Sequence, residues 1–158
     1  MIYPSNLTVG GVEKHVLMSD ILFMSVKEHA AKKVSATGTA STVTNVCTLT
    51  ASSGKDLYLA SAQFTAKSTS SGVGAAVVVV LKLNGSTVET HDIKLAGTSD
   101  SEGEFNKTIK FNHKGDKVTT TQTITIDITS VTTVTVNGQI EGFEEDTGVS
   151  PFVIAEFQ

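Results

Sequence analysis

Four side chains in the middle of the chain are of types that carry acid–base or metal chemistry: His91, Asp92, His113 and Asp116. A carboxylate can hold a histidine in one tautomer and let it work as a general base, and His with Asp can also ligate zinc. Zinc needs three or four ligands that converge. His91 falls in an expected return strand and His113 at an expected turn, so both read as solvated surface residues. His15 and His29 stand alone nearer the N-terminus and read the same way. Two acidic stretches are the other candidates. Asp100, Glu102 and Glu104 alternate in "SDSEGE", and Glu141, Glu144, Glu145 and Asp146 crowd "EGFEED". Clustered loop carboxylates can bind Ca²⁺, with main-chain carbonyls completing the shell. Neither stretch has the spacing of a calcium loop, and both are expected to be solvated acidic loops. Paired carboxylates also serve glycoside hydrolysis. A sugar cleft wants stacking aromatics, and the chain has no Trp and only Tyr3 and Tyr58.

Cys47 is the single cysteine, so no intrachain disulfide forms. In "VTNVCTLT" it keeps phase with Val43 and Leu49, the position of a small buried apolar residue rather than a nucleophile. Glycine-rich phosphate loops, serine elbows and zinc-protease motifs are missing. The expectation is a non-enzyme, with no catalytic, cofactor-binding or metal-binding residue assigned. Three glycosylation sequons, at Asn6, Asn84 and Asn106, read as a by-product of a chain with 39 Ser and Thr.

The elements that must carry these side chains are β-strands. Of 158 residues, 23 are Thr, which suits the wet face of a sheet. Hydrophobic residues at 39% give enough core for one domain. Net charge is −4 and all 12 basic residues are Lys. Nucleic acid normally requires a basic patch, usually with arginine forks, and an anionic membrane surface is disfavoured for the same reason. The longest apolar run, "AAVVVVL", is far short of the roughly 20 residues a spanning helix takes. The start, "MIYPSNLTVGG", lacks the pattern of a signal peptide, so assembly in a cytoplasm is expected.

Residues 1–34 are expected to form an N-terminal arm, and 35–158 a β-sandwich domain. Within the arm a helix is expected from Ser19 or Asp20 to Lys32 and Lys33, whose charges would suit its C-terminus. Ile21 to Val26 could also be a strand. Beyond Ser35 about eight strands follow. Residues 41–51 place Val43, Cys47, Leu49 and Ala51 on one face, and 56–67 place Tyr58, Ala60, Ala62, Phe64 and Ala66 on one face. Residues 75–83 are apolar on both faces. Asn84-Gly85 marks a tight hairpin. Residues 104–112 alternate Phe105, Ile109 and Phe111 with polar residues. A strand "KVTTTQTITIDIT" follows, and "FVIAEF" behind Pro151 is a last strand. Asn137-Gly138 could open another hairpin, but Val134, Val136 and Ile140 keep phase across it. A single long strand bent by a glycine bulge is favoured. Short turns and no interleaved helices mean an all-β antiparallel sandwich, jelly-roll-like, with an immunoglobulin-like sandwich as runner-up.

"LTASSGKDLYLASAQFTAKS", "VVVLKLNGSTVETHDIKL" and "VTTVTVNGQIEGFEE" together resemble small jelly-roll virion proteins of tailed phages and related viruses, over about residues 45–145. The resemblance implies a capsid decoration (cement) protein, or a spike, fibre or tail component. It implies a symmetric homo-oligomer, trimer favoured, that contacts a capsid or tail protein, is located in the virion and carries no cofactor. Two readings compete with it. One is a carbohydrate- or receptor-binding sandwich presenting loops 68–74 and 96–104. The other is a jelly-roll hydrolase, which needs a pocket where His91 or His113 meets carboxylates.

Overall fold

Asn84 and Gly85 both take positive φ, 46° and 81°. That is the backbone a two-residue hairpin demands, and it folds the chain back on itself between β6 (Ala75–Leu83) and β7 (Ser86–Leu95). The computed structural model describes residues 5–9, 12–16, 32–71, 74–99 and 103–148, with backbone alone for 5–9, 12–16 and 130–132. Moving outward from the hairpin, the strands pair in nested order. β5 (Lys55–Ser68) pairs with β8 (Asn106–Lys110), and β4 (Asn45–Thr50) with β10 (Thr123–Thr132). The outermost pair is β3 (Lys32–Ala40) with β11 (Val134–Asp146).

Successive nested pairs fall in alternate sheets. One sheet runs β4-β10-β6-β7. The other runs β3-β11-β5-β8, with the short β9 (Lys117–Val118) also on β5. An antiparallel ribbon wound over two layers in this way is a jelly roll. The chain divides into two compact units, residues 32–149 and residues 1–31 with 150–158. In the second, β1 (Ser5–Val9) and β2 (Val12–Val16) pair as an antiparallel hairpin, where the sequence suggested an arm with one helix. Among the described residues no helix is long and apolar enough to cross a membrane.

The core lies between the sheets. Ile124, Ile126 and Ile128 of β10 and Val77, Val79 and Leu81 of β6 cluster with Phe64, Ala62 and Ala66 of β5 and Val134, Val136 and Ile140 of β11. Period-two alternation accounts for each row. Along one side the sheets close almost edge to edge. Gly138 is paired with Gly38, and both sit against Val46 and Cys47 of β4. A Cβ on Gly38 would collide with the Val46 carbonyl oxygen, so the two glycines make the seat on which β4 rests.

Several expectations are corrected. β11 does run unbroken through Asn137-Gly138, but its register does not slip there. The slip comes between Glu141, opposite Ser61, and Gly142, opposite Leu59, which leaves Ala60 as the extra residue on β5. The bulge flips the phase: Leu57 and Leu59 face the core before it, whereas Tyr58 lies outside the core cluster beneath Lys117. Val43 is 62% exposed because residues 41–44 form a bend ahead of β4. Phe105 is 45% exposed, just before β8 begins. "KVTTTQTITIDIT" is two strands, β9 and β10, separated by a turn with Thr121 at φ 67°. Lys32 and Lys33 begin strand β3 rather than end a helix. The remainder of the expected helix and the strand at "FVIAEF" lie outside the described residues.

Candidate functional site

Where glycines close one side of the sandwich, a group of ring and carboxylate side chains closes the other. The edges that meet here are β7 of one sheet and the segment from β8 to β9 of the other. On β7 the register slips at Val88, since Glu89 faces Leu81 while Thr87 faces Lys82. Glu89, His91, Ile93 and Leu95 then share one side, two residues apart. Ile93 and Leu95 are core. The His91 ring lies 5.8 Å from Phe64 and 5.3 Å from Phe111, whose own centroids are 5.4 Å apart. Tilted aromatic contacts of this kind add to the burial of the rings themselves.

His91 Nε2 lies 2.8 Å from Glu89 Oε1. The Glu89 carboxylate reaches across to the other edge, where Asn112 donates its backbone N–H to Oε2 at 2.9 Å and its Nδ2 to Oε1 at 3.3 Å. One residue on, His113 has Nδ1 2.8 Å from Asp116 Oδ2 and Nε2 3.0 Å from the Val88 carbonyl oxygen. Both partners are acceptors, so both bonds form only when both ring nitrogens carry hydrogen, as in the imidazolium. The hydrogen bond to Asp116 raises the His113 pKa, and partial burial works against it. The Val88 carbonyl and the charges of Asp116 and Glu89 add to the rise. A ring donating through both nitrogens has no lone pair with which to accept a proton, so His113 in this state is a clasp and not a general base.

The stability consequence follows from the sign of the shift. A histidine whose pKa is raised by folding contributes stability that is complete below its unfolded value, about 6.5, and is lost as pH rises through the folded value. Thermal melts between pH 5.5 and 9 are expected to show Tm falling across that window. His113→Gln, which can keep only part of the bonding, is expected to flatten the fall. An identical slope in the variant would remove His113 as its source.

The structure brings His113 and Asp116 together, as the sequence grouping anticipated, but does not pair His91 with Asp92. Asp92 points to the other, exposed side of β7, and Glu89 takes its place. Neither histidine is in bulk solvent, with side chains 23% and 36% exposed. Among the described residues no group of three or more His, Cys, Asp or Glu could hold a metal. Asp100 and Glu102 lie outside the described residues, and Glu104 is exposed. "EGFEED" is strand and not loop. Glu141 faces outward near Lys33 at 3.3 Å, whereas Glu144 turns inward and accepts the Ser52 N–H at 2.9 Å. Burial pushes the Glu144 carboxyl up, but bonds from Ser52 and the charges of Lys32 and Lys55 outweigh it and hold the group below its ordinary value. Cys47 is buried and burial pushes its thiol up to about 11, so little thiolate exists at neutral pH.

A second feature lies on the outer face of the five-stranded sheet. Thr37, Thr39, Asn137, Gln139, Gln63 and Thr65 line a shallow groove of about 330 Å³. Its polar groups bond across the strands: Thr39 Oγ1 donates to Asn137 Oδ1 at 2.6 Å and Gln63 Nε2 to Gln139 Oε1 at 2.9 Å.

No protein-family model matches the chain, and no curated protein does. Among solved structures, a similar chain comes from the acidic stable capsid structure of Helicobacter pylori bacteriophage KHP30. The TM-score is 0.40 and the identity 12%, over 74% of this chain and 94% of that one.

Proposed function

We propose that the chain is a non-enzymatic structural protein of a virion, of the decoration, spike or tail kind, acting through subunit contacts. The observation that carries the reading is where the chain enters and leaves the jelly roll. Lys32 at the start of β3 is paired with Glu144 near the end of β11, so both terminal segments depart from the same end of one sheet. Those segments form a compact unit of their own. A sandwich whose His91, His113 and Cys47 are tied up in packing and clasping, and whose first and last strands open at the same end, suits attachment. Apolar area buried on a neighbour stabilises such contacts by about 25 cal/mol per Å². Static light scattering on the purified chain is expected to give a discrete homo-oligomer, three copies of the 16.6 kDa chain being favoured. A monodisperse monomer at tens of micromolar would count against the oligomeric part.

The groove of hydroxyl and amide side chains favours a second reading, a carbohydrate- or receptor-binding module. A glycan array with no hits, with and without Ca²⁺, would remove its sugar version.

A further inference from the structure

The first residues of β5 face the last residues of β11, with Lys55 opposite Asp146 and Asp56 opposite Glu145. Residues directly opposite in an antiparallel pair point the same way. Leu57 and Glu144 point inward here, so Asp56 and Glu145 stand side by side on the outer face. Asp56 is fully buried, at 0% exposure. Its Oδ2 accepts from Lys117 Nζ at 2.7 Å and from the Gly148 N–H at 3.1 Å. Its Oδ1 is buried without a partner, and so is Glu145 Oε1. Lys117 balances one of the two charges, and Lys55, bonded to Asp146 at 2.7 Å, offsets the Glu145 charge only from a distance.

Like charges directly opposite destabilise a sheet, and buried polar atoms in folded proteins nearly always have partners. Two free carboxylate oxygens from adjacent strands are what a hard cation binds. We infer that Asp56 Oδ1 and Glu145 Oε1 are two ligands of a divalent-cation site suited to Ca²⁺. Among the described residues no third His, Cys, Asp or Glu joins them, and the rest of the shell would have to come from main-chain carbonyls and water. Calcium tolerates such mixed and irregular oxygen shells. The site would tie β5 to β11 at the end of the sheet from which both terminal segments depart, and it does not depend on the virion reading.

The test uses the full chain after treatment with a chelator. Tyr58 lies two residues along β5 from Asp56, roughly 7 Å away, close enough to sensitise Tb³⁺ luminescence at the site. Tb³⁺ is expected to give tyrosine-sensitised emission that Ca²⁺ displaces, and Ca²⁺ is expected to raise Tm reversibly. Asp56→Asn also removes the partner of Lys117 and could prevent folding. Glu145→Gln leaves that ion pair intact and therefore decides. It is expected to lose both the Tb³⁺ emission and the Ca²⁺-dependent shift in Tm. No response in the wild-type chain, as a proton shared between the carboxylates would give, overturns the proposal. So does an unchanged response in Glu145→Gln.

Discussion

Gly38→Val is expected to abolish the folded jelly roll. The Cβ built on Gly38 meets the carbonyl oxygen of Val46, with Val46 C at 3.0 Å and Cys47 Cβ at 3.1 Å beyond it. The obstacle is main chain, which cannot turn aside as a side chain can. Relief requires β3 to part from β4, and with it the closed side of the sandwich. Overpacking a core ordinarily costs about 1–3 kcal/mol, and a main-chain collision lies above that range. A domain has only about 5–15 kcal/mol in hand. Gly138→Ala supplies the contrast. Its Cβ would meet Cys47 Sγ and Val46 Cγ1, each at 3.0 Å, and both are side-chain atoms able to give way. A loss of about 1–3 kcal/mol is expected there. Cys47→Ala should recover part of that loss and none of the Gly38→Val loss, since the two mutations then couple through Sγ alone. Circular dichroism and thermal melts read the wild type, the three single variants and the two double variants. A Gly38→Val chain that melts within a few degrees of wild type would refute the close seating of β4.

The second large effect is expected for Phe64→Ala, with a loss of about 3–5 kcal/mol in urea titration. Phe64 is 1% exposed and is among the largest fully buried side chains of the core. It lies opposite Gly138 on β11, filling the face that glycine leaves bare, and its ring touches those of His91 and Phe111. Its removal therefore opens a cavity and also loosens the ring group on which the clasp is built. The pH slope assigned to His113 should shrink in the same variant. A loss under about 1 kcal/mol would mean that the site collapses around the gap, against the packing described here.

The two clusters differ in how much of them could be read in advance. The row Ile124, Ile126, Ile128 is legible because a strand with one buried face repeats every second residue. Asn84-Gly85 is legible because few residue pairs tolerate positive φ twice running. Ala60 is not, because in "LYLASA" apolar residues occupy both phases and an extra residue leaves no mark. Val43 counts in phase with Cys47, yet the bend at 41–44 breaks the count. Lys32 and Lys33 suit a helix C-terminus and suit an edge strand equally well, since lysines also guard exposed sheet edges. At the clasp, His113 and Asp116 are neighbours in sequence and their grouping is visible. Glu89 does not stand out although it is two residues from His91, the spacing that puts both on one side of a strand. The contact that gives it meaning, to Asn112, spans 23 residues and exists only once the two sheet edges meet.

The most direct test of a structural role is cryo-electron microscopy of the assembly that contains this chain. Nine-stranded jelly rolls are expected at symmetry-related positions, each in contact with neighbouring subunits. Particles that lack the chain, while it accumulates free as a monomer in the same cells, would contradict it.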